Sequence, residues 1–209
     1  MMTEHTNTNI NYNYDYDDKN TVEEYNNRQL SLFDEVDDYT AESIIKQIIK
    51  WNREDKGIPI EQRKPIIFNI YSFGGSVPAG LAIIDFIQTS ITPVYTVNVG
   101  VCYSMAFHIF IAGNKRFSFP NSSFLLHDGS TFSYDSTHKA IDRMEFEKGQ
   151  TEKRIRELVI GSTNITLKLY EENLRKEWYF YADEAKKLGV TDYIIGADCD
   201  INTVINKYT

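Results

Sequence analysis

The chain has 209 residues, of which 42% are hydrophobic and 25% are charged, and its formal net charge is −8. These values are typical of one globular domain, and the acidic balance argues against nucleic acid as a partner. No stretch approaches the roughly 20 consecutive apolar residues that a bilayer-spanning helix needs, so we expect no integral membrane protein.

The N-terminal residues differ from the rest of the chain. In residues 1–27, asparagines alternate with threonines, tyrosines and aspartates. Such a composition predicts a flexible polar arm, followed by a folded domain over residues 28–209. The start of the chain has neither a basic segment nor an apolar segment of the kind that a secretory signal contains, which predicts a cytoplasmic protein.

From residue 28 onward, strand patterns and helix patterns alternate. Strands are predicted at residues 29–33, 66–71, 94–101, 116–119, 123–126 and 193–195. Helices are predicted from an N-cap at Thr40 to about Gly57, and at residues 77–89, 104–112 and 183–188. The polar residues 137–174 predict one or two further amphipathic helices. This order of elements predicts an α/β fold around a parallel sheet.

Three features lie where strands end and are candidates for chemistry. Gly74 and Gly75 form either a simple tight turn or a place where a substrate carbonyl meets bare backbone amides. Ser104 opens a helix, so it is either an N-cap or a nucleophile held beside free amides. His127 ends a strand and is either structural or the base for Ser104.

The remaining histidines and the cysteines do not form a metal site. His5, His108 and His138 are spread over the arm, an apolar helix and a polar stretch, without the spacing of metal ligands. The two cysteines, Cys102 and Cys199, are too few for a disulfide framework or a zinc site. We expect Cys102 to be buried in its apolar run.

Four segments together resemble the motifs of one family. Residues 69–80 (NIYSFGGSVPAG) resemble the glycine-turn motif of the ClpP proteolytic subunit, and residues 99–106 (VGVCYSMA) resemble its nucleophile motif. Residues 120–127 (PNSSFLLH) resemble its histidine motif, and residues 181–192 (YADEAKKLGVTD) its C-terminal signature. The segments keep the family's order, and nearly its spacing, over residues 28–196.

The resemblance implies a fold, an assembly and a partner. The fold is a ClpP/crotonase-like arrangement of repeated βαβ units with a protruding helical handle, here about residues 130–174. The assembly is two stacked heptameric rings, a tetradecamer that encloses a chamber. The implied partner is an AAA+ unfoldase of the Clp type, which feeds unfolded polypeptides to the chamber.

The resemblance also implies a serine endopeptidase that needs no metal or cofactor. Ser104 matches the nucleophile and His127 the general base. The backbone amides of Gly75 and Met105 match the oxyanion hole.

Some positions depart from the family pattern. Alignment back from Glu184 and Ala185 without a gap places Asn173 where the family carries its triad aspartate, so we expect an enzyme that is weak alone. The same alignment places Glu172 at a position that is usually arginine and lies near the contact between rings.

Two other functions stay open at this point. One is a structural or regulatory subunit that assembles with an active paralogue. The other is a crotonase-like enzyme acting on acyl-CoA, which is disfavoured because crotonases need no such Ser–His pair.

Overall fold

The computed structural model describes residues 27–130 and 136–205. Apart from Asn27, the arm predicted for residues 1–27 lies outside the described residues. The same is true of residues 131–135, at the start of the expected handle.

A parallel sheet organises the domain. Its main path runs in the spatial order β1-β2-β3-β4-β7, and every neighbouring pair on this path is parallel. Near its end, β3 also pairs in parallel with β5, which pairs antiparallel with β6. The strands are β1 (Gln29–Leu32), β2 (Ile66–Ser72), β3 (Val94–Tyr103), β4 (Lys115–Ser118), β5 (Ser123–Leu126), β6 (Trp178–Tyr181) and β7 (Tyr193–Ile194).

Helices connect the strands and follow them along the chain. They are α1 (Asp38–Glu54), α2 (Val77–Thr89), α3 (Met105–Ile111), α4 (Thr137–Phe146), α5 (Glu152–Ser162), α6 (Leu167–Asn173), α7 (Ala182–Lys187) and α8 (Ile201–Ile205). A short 3-10 turn, Ile60–Gln62, precedes β2, and a π-helical turn, Glu147–Thr151, joins α4 to α5. Within the described residues, no helix is long and apolar enough to cross a membrane.

The principal core lies between one face of the sheet and the helices. Trp51 of α1, Phe68 of β2 and Phe107 and Phe110 of α3 are among its fully buried side chains. A smaller apolar cluster covers part of the opposite face and includes Val97. Truncating a buried aromatic of the main core to alanine would cost about 3–5 kcal/mol, which is a large share of the stability of a domain.

The α/β fold predicted from the sequence is confirmed, with differences at the ends of elements. Helix α1 begins earlier than predicted, because its N-cap is Asp37 and not Thr40. The Asp37 carboxylate accepts from the Thr40 amide at 2.7 Å, and the Thr40 hydroxyl accepts from the Asp37 amide at 2.9 Å. Both residue types favour caps, and this reciprocal capping box uses both.

The segment expected to form the handle is helical where it is described. Helix α4 buries none of its residues, and its apolar side chains Ile141, Met144 and Phe146 are exposed. Helix α5 is anchored in the main core through Val159, and α6 through Tyr170. The sequence predicted one or two amphipathic helices within residues 137–174, and the structure has three there, α4, α5 and α6.

Candidate active site

Ser104 lies at a sharp turn between β3 and α3. Its φ of 52° and ψ of −123° place a non-glycine residue in a region that side chains rarely adopt. Such a conformation costs about 1–3 kcal/mol and is maintained only by the surrounding structure. Here the Ser104 amide donates to the carbonyl of Leu125 at 3.0 Å, and its side chain makes no capping hydrogen bond. The turn therefore leaves the hydroxyl free for another role.

The two glycines after β2 pack directly against this turn. A Cβ on Gly74 would lie 2.7 Å from the Cβ of Ser104 and 2.9 Å from the amide nitrogen of Met105. A Cβ on Gly75 would lie 2.3 Å from the carbonyl oxygen of Val36. Both glycines have positive φ. Only glycine therefore lets the end of β2 approach Ser104 so closely.

Two backbone amides beside Ser104 have no acceptor among the described residues. They belong to Gly75 and Met105. Met105 is the first residue of α3, where a helix leaves its amides unpaired and carries partial positive charge. The neighbours of Gly75 are fixed by Val36, which donates to the Gly74 carbonyl at 2.8 Å and accepts from the Ser76 amide at 2.6 Å. This arrangement suits a developing negative charge.

His127 follows β5, at the same end of the sheet as Ser104. The parallel pairing of β3 with β5 sets Tyr103 opposite Leu125. Ser104 is one residue beyond Tyr103, and His127 is two residues beyond Leu125. The structure thus brings the two residues to the carboxyl ends of adjacent parallel strands, where sites form in α/β sheets.

The partner of His127 is Glu177. The Nδ1 of His127 lies 2.9 Å from the Oε1 of Glu177. Because an ionised carboxylate only accepts, Nδ1 is the donor in this contact, and Nε2 is the nitrogen that can accept a proton. This hydrogen bond is the main cause that lowers the pKa of the Glu177 carboxyl. In the register of β5 and β6, Leu126 pairs with Trp178, so His127 and Glu177 are the next opposite pair.

Asn173, expected from the sequence to be this partner, makes a different contact. It is the last residue of α6, and its side-chain amide donates to the carbonyl of Leu169 at 2.9 Å. The next residue, Leu174, accepts a hydrogen bond from the amide of Asp128 at 2.9 Å. The backbone at Asn173 therefore lies near the backbone at His127, because the residues that follow them are hydrogen-bonded to each other. The Asn173 side chain, however, is bonded within its own helix.

A second histidine, His108, contacts the backbone of the turn at Ser104. His108 of α3 is buried, and its Nδ1 donates to the carbonyl of Ser104 at 3.0 Å. Burial, the largest effect, lowers the pKa of His108 to about 4, and the nearby charge of His127 acts in the same direction. Its Nε2 is buried without a partner among the described residues. His108 is neutral at physiological pH.

Cys102 is fully buried, as predicted, and burial raises the pKa of its thiol. The described part of the chain contains no group of three His, Cys, Asp or Glu side chains that could hold a metal ion.

One family model matches most of the chain. The family model described as Clp protease matches residues 15–198. The chain belongs to the Clp protease family. The family consists of peptidases whose members generally form rings with Clp ATPases.

The sequence did not single out Glu177, although a signal was present. Residues 178–181 (WYFY) are an aromatic run typical of a strand, and β6 forms there. Had this strand been predicted and paired with residues 123–126, its register would have set Glu177 opposite His127. Ungapped alignment back from Glu184 and Ala185 instead matched the triad acid to Asn173, which lies before this strand.

Proposed function

We propose that this Clp protease family member is a serine endopeptidase with Ser104, His127 and Glu177 as its catalytic residues. The observation that carries the proposal is the 2.9 Å contact between the Nδ1 of His127 and the Glu177 carboxylate, at the same end of the sheet as the strained turn at Ser104. A histidine held by an acid beside a free serine hydroxyl is the arrangement that nucleophilic acyl transfer needs. In this proposal Glu177 takes the place assigned to Asn173 from the sequence.

In the first half of the reaction, His127 acts as a base. Its Nε2 takes the hydroxyl proton of Ser104 while the Oγ forms a bond to the scissile carbonyl carbon. The Glu177 carboxylate stabilises the imidazolium that results. The C–N bond of the peptide then breaks, and the proton passes from His127 to the leaving amine, which leaves an acyl-enzyme. Water repeats the sequence and releases Ser104.

The amides of Gly75 and Met105 supply the oxyanion hole. Both donors are unpaired among the described residues, and they belong to the residues that follow Gly74 and Ser104, which pack against each other. Rigid backbone donors act at no cost of reorganisation, and the loss of one such donor typically lowers kcat about 10²–10³-fold. No residue in this mechanism needs a metal or another cofactor.

The negative charge of Glu177 bears on how active the protein is alone. An asparagine beside His127 would provide no negative charge to stabilise the imidazolium, and the expectation of a weak enzyme rested on this loss. A carboxylate at that place removes this reason. We therefore propose that the catalytic residues of one chain suffice for chemistry once the chain is assembled.

The proposed assembly is a pair of heptameric rings, in the cytoplasm, that receives unfolded polypeptides from a Clp-type AAA+ ATPase. Family membership supports this assembly. The apolar side chains of Ile141, Met144 and Phe146, exposed on α4, support it as well, because an exposed apolar face on a helix is typical of a protein contact surface.

The experiment compares the parent protein with Ser104→Ala on an unfolded casein substrate and on a fluorogenic peptide, with products identified by mass spectrometry. The proposal predicts internal cleavage by the parent and none by the variant, with both proteins in the same oligomeric state by native mass spectrometry. Equal cleavage by the two proteins would overturn the role of Ser104. A parent that assembles but never cleaves, even with a Clp ATPase, would favour the structural subunit instead.

A further inference from the structure

Tyr179 contacts the acidic residue of the proposed catalytic group. Its hydroxyl donates to the Oε2 of Glu177 at 3.2 Å, while the Oε1 of the same carboxylate faces His127. The two residues are two positions apart at the start of β6, so they lie on the same face of the sheet. Each carboxylate oxygen of Glu177 thus has its own donor.

The exposure of Glu177 explains why a second hydrogen bond to its carboxylate would matter. The side chain is 60% exposed and has three rotatable bonds, so it loses conformational freedom when it is held against His127. A single hydrogen bond leaves a carboxylate free to rotate about that contact. A second donor on the other oxygen fixes its orientation, as the second partner of a functional group commonly does.

Tyr179 is itself held by its neighbours. In the register of the sheet, Leu125 of β5 lies opposite Tyr103 of β3 on one side and opposite Tyr179 of β6 on the other. The rings of Tyr103 and Tyr179 meet edge to face, with centroids 5.5 Å apart. The Tyr103 hydroxyl is fixed 2.8 Å from the Oγ of Ser123. The position of the Tyr179 ring is therefore set by contact with Tyr103, the last residue of β3, directly before Ser104.

We propose that Tyr179 is a positioning residue, whose hydroxyl holds the Glu177 carboxylate in the orientation that orders and stabilises His127. The inference rests on the proposed function, and it assigns to Tyr179 no contact with the substrate. Desolvation and the Glu177 carboxylate raise the pKa of Tyr179, so the hydroxyl stays protonated and remains a donor over the working pH range. His108, whose pKa is lowered by burial and by the charge of His127, is neutral above pH 5 and adds no charge there.

The test uses Tyr179→Phe, which keeps the ring and its contact with Tyr103 and removes the hydroxyl alone. Tyr181→Phe is the matched control, because Tyr181 lies on the same strand and face and is 61% exposed, against 55% for Tyr179. The first readout is kcat and KM on a fluorogenic peptide. We expect Tyr179→Phe to lower kcat about two- to tenfold with KM unchanged, the range that a single hydrogen bond provides. Tyr181→Phe should match the parent.

The second readout does not depend on activity. In a Ser104→Ala background, the rate at which diethyl pyrocarbonate modifies His127 is measured by peptide mass mapping from pH 5 to 8, and its midpoint gives the pKa of His127. If the hydroxyl positions Glu177, its loss weakens the pairing with imidazolium, and the midpoint falls by about 0.3–1 pH unit. If the hydroxyl merely withdraws charge from the carboxylate, the midpoint rises, and the proposal is overturned.

The remaining outcomes also support or overturn the positioning role of Tyr179. An unchanged midpoint in Tyr179→Phe, or an equal effect in Tyr181→Phe, overturns the positioning role even if kcat falls. A lowered midpoint in a protein whose parent form never cleaves peptide supports the contact and contradicts the proposed function. The two failures are therefore distinguishable.

Discussion

Replacing Glu177 with glutamine tests which residue completes the catalytic group. Glutamine keeps the length of the side chain and one acceptor oxygen, but it removes the charge. Its NH₂ group can also face the Nδ1 of His127, which then carries its proton on Nε2 and cannot accept one from Ser104.

The magnitude follows from the exposure of the pair. In a serine triad with a buried acid, the corresponding loss of charge lowers kcat about 10⁴-fold. Glu177 is 60% exposed, so water and salt screen part of its effect on imidazolium. We therefore expect Glu177→Gln to lower kcat about 10²–10³-fold.

The assay is kcat/KM on a small fluorogenic peptide, with the oligomeric state checked by native mass spectrometry. Glu42→Gln is the matched control, because Glu42 is a similarly exposed glutamate that pairs with the Lys46 ammonium within α1, away from the proposed site. It should retain the parent rate. Asn173→Asp should change the rate less than twofold, since its side chain bonds Leu169. Parent-like activity of Glu177→Gln, or a gain above tenfold in Asn173→Asp, would refute the pairing of His127 with Glu177.

Three further predictions concern the base, the buried histidine and the arm. His127→Ala should lower the rate of fluorophosphonate labelling about 10²–10⁴-fold, and an unchanged rate in a folded variant would exclude His127 as the base. Burial lowers the pKa of His108 from 6.5 to about 4, so between these pH values the unfolded chain binds a proton that the folded chain does not. The parent should therefore lose about 2 kcal/mol of unfolding free energy at this residue between pH 7.5 and pH 5. Urea titrations should show that His108→Phe lacks this loss, and an equal pH dependence in both proteins would contradict the burial of a neutral His108. Deleting residues 2–20 should leave the melting temperature unchanged while altering the entry of large substrates; a large drop would place the arm in the core.

The features that sequence predicted well are local ones. Helix α2 has the predicted bounds, Val77–Thr89, because a glycine turn and a capping serine, Ser76, fix its start over a few residues. The junction of a buried strand and a helix at Ser104 was also predicted, since both sides have clear periodicity. The positive φ of Ser104 was not, because no local pattern shows the close packing of Gly74, from the turn after β2, against this residue.

The features that sequence missed depend on pairing between distant segments. Glu177 lies 50 residues from His127 along the chain, and the register of β5 with β6 brings them together. No local pattern around Asn173 showed that its side chain would cap back onto Leu169. The proposed acid, Glu177, is therefore identified by the pairing of strands, whereas the proposed nucleophile and base, Ser104 and His127, are identified by sequence motifs.

The most direct test of the central claim, that Ser104 is a nucleophile activated by His127 and Glu177, is native mass spectrometry after treatment with a fluorophosphonate, with the modified residue located by peptide mapping. The account predicts one adduct per chain, on Ser104, in the assembled parent, and strongly slowed labelling in Glu177→Gln. An assembled parent that remains unmodified, or an adduct located on another residue, would contradict it.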